Sequence, residues 1–472
     1  MANDAAGPPG STPGVRQPWS RSERRVPRVV LQPLQSFLQT EVAGGVLLLI
    51  ATAVALVWAN AWEGSYERVW STELTIGLGA WNLTDDLAHW VSDGLMTLFF
   101  LVVGLEIKRE ILTGELRDRR AAAVPVLAAL GGMVVPALLF LAIVAGGDGS
   151  EGWGVPMATD IAFALGVLTL VARSAPASLK PFLLTLAIVD DIGAIVVIAV
   201  FYSDGVSVEP LLVAVAACVA IALLQRIHVR ATAVYVLLGV AVWVAAFESG
   251  VHPTIAGVVL GLLTPAVPFQ RPTAVSGEAH RIADETVDEP SPPDADAPYW
   301  LYLAGLSREA VSPLARVESL LHPWVSFVIM PLFALSNAGV GLSAGALSEA
   351  ATSRAAIGIV VGLVVGKPLG IALATAAAVR TGIGPRPTGA GWRDVVGVGA
   401  LAGIGFTISL LITDLAFAGT PLEESTKVGI LAASILAGAI GAVVLGTGRS
   451  SRRSRTMRSS YTAPGPGSGG AP

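Results

Sequence analysis

Long apolar runs, each near the length of a bilayer crossing and each closed by a short polar stretch, set the pattern of this chain. A helix crossing the hydrocarbon core takes about 20 mainly apolar residues. A window of that size predicts twelve spans, over 42–60, 87–107, 121–144, 154–172, 181–202, 210–225, 231–247, 251–266, 322–340, 355–379, 395–417 and 427–446. The eighth is short, and the fourth is interrupted by Pro156 and Asp160. The first follows an Arg-rich tail and ends on Ala59-Asn60-Ala61, which resembles a signal-peptidase site. Its apolar core, Val42 to Trp58, is 17 residues long, beyond the roughly 7–15 of a secretory signal, so it reads as an uncleaved span.

The basic residues between the runs orient the spans, because cytoplasmic loops collect Lys and Arg. With the N-terminus inside, 26 of the 30 basic residues fall in inside segments, from Arg16–Arg28 and Lys108–Arg120 to Arg449–Arg458. Only Arg68, Arg354 and Lys427 fall outside, and Lys367 lies within a span. A missed or invented span would scramble that alternation, so both termini are expected in the cytoplasm. The membrane-spanning body is expected over 41–447, flanked by basic, Pro/Gly/Ser-rich tails at 1–40 and 448–472 that read as disordered. Two longer connections stand out. The outside segment 62–86 reads as a hairpin, an interface element or a plain loop. The segment 267–312, with acidic Asp284–Asp296, reads as a flexible cytoplasmic insertion.

Composition strengthens the membrane reading. Of 472 residues 53% are hydrophobic and 14% charged, against roughly a quarter charged in soluble domains. An ordinary soluble enzyme and a disordered chain are excluded. A net charge of -5 leaves no basic footprint for nucleic acid. The single cysteine, Cys218, excludes an internal disulfide and a thiol metal cluster. Nothing in the sequence calls for a cofactor; the expected partners are the lipid bilayer and whatever small cargo the buried charges take.

A charge near the bilayer centre costs at least ~2.5–3.5 kcal/mol on insertion scales, so each such residue is a functional candidate. Asp190-Asp191 sit mid-span, and neighbouring helical residues point about 100° apart, so at least one faces a partner or a wet cavity. Two like charges this close cannot both ionise cheaply and titrate as a pair, which suits a group that trades a proton for a cation. Lys367 is the one base at depth. An ion pair with Asp190 would leave Asp191 free for cargo; a plain helix-to-helix clamp is the alternative. Asp160 follows Pro156, and Gly403-Ile404-Gly405-Phe406-Thr407 interrupts the eleventh span. Unwound backbone at membrane depth lines cavities or is packed in protein, and transporters use it at their cargo sites. Two broken spans, the fourth and the eleventh, suggest an inverted repeat of spans 3–5 against 10–12. Asp93 and Asp414 lie nearer the outer ends and read as interface or vestibule residues rather than ligands. Glu106 and Glu110 share a helix face beside Lys108 and Arg109 and read equally well as solvated ion pairing. His252 and His322 each open a span, where a histidine commonly serves as a cap.

Around Thr159-Asp160, Ala187-Ile188-Val189-Asp190-Asp191-Ile192-Gly193-Ala194 and Gly366-Lys367-Pro368-Leu369-Gly370, the chain resembles the NhaA family of bacterial sodium/proton antiporters. The similarity runs from about 36 to 446 and includes Val103–Glu110, Gly250-Val251-His252 and His322-Pro323-Trp324-Val325. That family is itself a type case for inverted repeats with midplane sites. The resemblance implies an all-α, twelve-helix inverted-repeat transporter with two discontinuous crossing helices, and a homodimer joined through the 62–86 segment. It implies that Asp160 and Asp191 line the ion site, Asp191 being the principal Na+ and proton carrier. Thr159 is then a candidate ligand, and Asp190 pairs with Lys367. It further implies electrogenic exchange of Na+ or Li+ for a larger number of protons at the cell's inner membrane. Activation at alkaline pH is associated with Glu106, Glu110, His252, Glu318 and His322. Ser319 stands where the family commonly has histidine, which puts the pH response in question for this chain.

Other readings are weaker. An intramembrane aspartyl protease also pairs membrane acids, yet neither Asp160 nor Asp190 lies in a Gly-x-Gly-Asp sequence, and Lys367 would oppose that chemistry. A channel or a sensor needs no competing acids. A potassium/proton antiporter or a sodium-coupled symporter of the same fold is the nearer alternative.

Overall fold

The computed structural model describes residues 41–78, 81–171, 175–203, 205–286 and 296–447. Both tails, and 287–295 of the acidic stretch, lie outside the described residues. The chain runs α1 (Glu41–Ala61), α2 (Glu63–Trp70), β1 (Glu73–Leu78), β2 (Trp81–Asp86), α3 (Leu87–Leu112) and α4 (Arg119–Val144). A 3₁₀ segment, Ser150–Met157, then leads to α5 (Ile161–Val171), α6 (Leu179–Phe201), α7 (Val208–Arg226), α8 (Thr232–Glu248) and α9 (Pro253–Leu263). After α10 (Pro272–Thr286) and α11 (Ala297–Glu309) come α12 (Pro313–Asn337), α13 (Ala344–Thr352), α14 (Arg354–Arg380), α15 (Trp392–Ala402), α16 (Phe406–Phe417) and α17 (Leu422–Gly446).

Among the described residues nine helices are long and apolar enough to cross a membrane, ten with α15 and α16 taken as one span bent by 46°. The short α8 and α9 are also apolar. The protein is therefore an all-α polytopic membrane protein, apart from one antiparallel hairpin that pairs Glu73 with Asp86 through Leu78 with Trp81. The hairpin resolves the 62–86 segment. Thr75 and Thr84 hydroxyls meet across it at 2.8 Å, and Trp90 Nε1 donates to Leu74 O at 2.9 Å, fixing it to α3.

Local chemistry sets the helix starts. Asp118 accepts from Arg120 N at 2.9 Å, Ser312 Oγ from Ala315 N at 3.2 Å and Ser353 Oγ from Ala356 N at 3.3 Å; each satisfies an orphan amide at a helix start. One proline in each of α12 and α14 is accommodated by a π-bulge. Pro331 and Pro368 would each clash with the carbonyl four residues back. Those carbonyls, of Phe327 and Val364, lie within the widened turns Val325–Ile329 and Gly362–Gly366. A π turn moves them aside, and the second bulge delivers Lys367 as its next residue.

In lipid, helices associate through close backbone packing at small residues. A Cβ on Gly131 would stand 2.5 Å from Gly370 O, and one on Gly370 would strike Gly131 O, so α4 and α14 touch along their backbones. Gly257 and Gly261, four residues apart on α9, do the same against Thr97 and Leu101 on α3. Gly370→Ala is therefore expected to force α14 away from α4. The measurable result is a lower thermal midpoint in detergent, with overpacking costing about 1–3 kcal/mol.

Two expectations change. The insertion 267–312 contains α10 and α11 where a flexible segment was expected. His280, Arg281 and Glu278 kept that stretch below any apolar window, and polarity does not prevent a helix. His322 does not open a span. The helix begins nine residues earlier, at the Ser312-Pro313 cap, because its first turns carry Arg316 and Glu318 and escape a hydropathy window. His322 is exposed inside it rather than capping it.

Candidate functional site

The site lies where the chain twice abandons helical geometry. Met157 ends the 3₁₀ segment and Ala158 is extended (φ -80, ψ 153), so Thr159 and Asp160 precede α5 on open backbone. The second break, 403–405, separates α15 from α16. Its glycines are needed for close approach. A Cβ on Gly403 would strike Leu363 O, and one on Gly405 would stand 3.0 Å from Ala158 O. The two breaks touch, with Asp160 N donating to Ile404 O at 2.6 Å and Thr159 Oγ1 lying 2.8 Å from Ala402 O.

Asp160 is held by both half-helices. Its Oδ1 accepts from Phe163 N at 3.1 Å, in the first turn of α5. Its Oδ2 accepts from Thr407 N at 3.3 Å and Thr407 Oγ1 at 2.8 Å, in the first turn of α16. Helix N-termini present free amides and a positive dipole end to an anion, and this carboxylate receives two of them.

Lys367 Nζ forms an ion pair with Asp190 Oδ2 and donates to Thr159 Oγ1 at 2.8 Å. Thr159 Oγ1 is also 2.7 Å from Asp190 Oδ2. All three side chains are fully buried. Asp191, next in α6 and 2% exposed, has an Oδ1 with no hydrogen-bond partner; Asp190 Oδ1 is likewise unpartnered. Asp160 and Glu106 lie within electrostatic reach of Asp191. The adjacent acids thus differ: one faces an ammonium, the other has none as a direct partner. Sodium is a hard cation and prefers oxygen donors, which Asp191, Asp160, Thr159 and the carbonyls of the breaks can supply.

The residues that the family resemblance links to a pH response are dispersed. Glu106 is 3.6 Å from Arg109, whose guanidinium also pairs with Glu318 on α12. Glu110 is buried and accepts from Glu115 N at 2.9 Å. Lys108 Nζ donates to Leu262 O and Thr264 O at 2.7 and 2.6 Å, closing the end of α9. At the other end of the molecule His252 precedes α9, with Nδ1 3.0 Å from Thr254 Oγ1 and Nε2 3.7 Å from Asp93. Asp414 pairs with Lys427 at 2.7 Å, and Lys427 with Glu423 at 2.9 Å. Nearby, burial pushes the Tyr66 hydroxyl up to about 12, so it stays protonated and donates toward Leu335 O and Ser336 O at 2.9 and 2.6 Å.

Sequence reasoning missed Thr407 as a partner of Asp160. The only available signal was its place two residues after Gly405, the mirror of Asp160 after its own break.

A family model described as "Na+/H+ antiporter 1" matches residues 35–445. The chain is 46% identical over 430 residues to "Na(+)/H(+) antiporter NhaA 2" of Sorangium cellulosum, covering 89% of this chain and 92% of that one. It is 45% identical over 439 residues to "Na(+)/H(+) antiporter NhaA 3" of Frankia alni, covering 93% and 92%. "Na(+)/H(+) antiporter NhaA 2" of Myxococcus xanthus is also 45% identical, over 444 residues, covering 93% and 94%.

Proposed function

The chain belongs to the NhaA family of sodium/proton antiporters, and from that premise we propose that it expels Na+ or Li+ in exchange for protons by competition at Asp191. It is a transporter of Na+ and H+. The observation that carries the mechanism is the asymmetry of the adjacent acids: each has a buried Oδ1 without a donor, but Asp190 is neutralised through Oδ2 by Lys367, while Asp191 has no cation as a direct partner. A carboxylate so placed is stable when a proton or a cation occupies it and costly when bare. Competition for one carboxylate, with access alternating between the two sides, is sufficient for exchange. Asp160 and Thr159 complete the ligand set in this reading, with Asp190–Lys367 as support, and more protons enter than cations leave.

Nine long apolar helices, the bent α15–α16 pair and the two short apolar helices support twelve spans. The contacts between the two breaks support crossing discontinuous helices, α4–α6 repeating as α14–α17 with inverted topology. The distribution of Lys and Arg supports cytoplasmic termini in the inner membrane. Glu106, Glu110, Glu318, His252 and His322 are proposed to carry the pH response. The unpaired edges of the 73–86 hairpin support dimerisation through that segment.

Everted vesicles with an imposed pH gradient test the proposal. Sodium and lithium are expected to dissipate the gradient and potassium to leave it standing. Dissipation by potassium, or by none of the three, would overturn it.

A further inference from the structure

The α10–α11 insertion takes no part in the exchange site, yet α11 carries an unusual surface. Tyr299, Trp300, Leu301 and Tyr302 are 45, 49, 74 and 54% exposed. Successive helical residues point about 100° apart, so all sides of this turn lack substantial protein cover. Leu303 and Leu306 form the partly buried seam of the same helix.

The other end of α11 is tied to the bundle. Phe269 N and Gln270 N each donate to Glu309 O at 3.1 Å. The Glu309 carboxylate pairs with Arg230, whose guanidinium lies 4.6 Å over the Phe269 ring. Leu314 N donates to Pro265 O at 3.0 Å. Glu309 is thus fixed where α7 and α9 end and α8 and α12 begin, at the rim of the apolar bundle. Trp300 is nine residues away along a helix, or about 14 Å at 1.5 Å per residue. An aromatic cluster within that distance of the rim is within reach of the headgroup layer.

We propose that α11 is an interfacial helix whose Tyr299–Tyr302 turn lies in the headgroup region of the leaflet at this end of the bundle. Two tyrosines and a tryptophan suit that layer, because each ring is apolar with one polar atom for the wet side. Arg308, one residue before Glu309, can extend its stem along lipid while its charge stays in water. The acidic residues preceding α11 give the anchor no basic character, so aromatic insertion holds it rather than attraction to anionic lipid. The inference concerns lipid contact alone and is independent of which ions the site exchanges.

The test uses the full chain in phosphatidylcholine nanodiscs. Cys218 is replaced by Ser, and a single spin label is placed through Leu301→Cys or through Ser276→Cys on α10; both positions are exposed. Collision rates are read with oxygen, which partitions into lipid, and with a water-soluble nickel chelate. The label at 301 is expected to show an oxygen-to-nickel ratio several-fold above that at 276, unchanged by raised salt. Equal ratios would place the turn in water and overturn the proposal. Shielding of the label at 301 from both reagents would also overturn it, since a second copy or another protein would then cover the face.

Discussion

Asp191→Asn is expected to reduce sodium-driven dissipation of the pH gradient to the background of empty vesicles while leaving the protein folded. Asparagine keeps the shape of the side chain but can neither carry a dissociable proton nor offer a full negative charge. No donor reaches Asp191 Oδ1 in the structure, so the substitution breaks no hydrogen bond at that atom. Removing a buried ionisable group that lacks a partner relieves a desolvation cost. The thermal midpoint is therefore expected to equal or exceed the parent's. Activity gone with stability kept separates a carrier from a structural acid. Parental rates of dissipation in this variant would sink the mechanism.

Lys367→Ala is expected to give the largest loss of stability at this site. Both members of the Lys367–Asp190 pair are 0% exposed, so no solvent screening softens the change. The substitution leaves Asp190 with the Thr159 hydroxyl alone. Removing one partner of a buried pair costs about 3–5 kcal/mol, and thermal unfolding in detergent would read it. Asp414→Asn is the comparison, because Lys427 there retains Glu423 at 2.9 Å and the loss is smaller. Equal midpoints for the two variants would contradict the buried pair. A double variant, Asp190→Asn with Lys367→Met, is expected to recover much of the stability, since replacing both charges leaves neither bare.

That Lys367 would meet one of the buried aspartates was legible in the sequence, because so few charges lie at depth; the choice of Asp190 among them followed from the family resemblance. The two breaks were legible too, one from Pro156 and one from Gly403 and Gly405. What the sequence could not reveal was the contact between them. Thr407 reaches Asp160 across 247 positions, and no local pattern records such a distance. The glycines of the second break pointed to the right place for another reason: they permit backbone contact with Leu363 and Ala158. The helices of the insertion and the early start of α12 were hidden by charged residues, which lower hydropathy without opposing helix formation.

The double capping of Asp160 has a mechanical consequence. A charged carboxylate accepts on both oxygens; a protonated one turns one of them into a donor. Through Oδ1 and Oδ2 this residue joins the first turn of α5 to the first turn of α16. The group is thus a rivet as well as a proposed ligand. Any change in what it holds also changes its grip on two half-helices, so chemistry and movement share one atom pair.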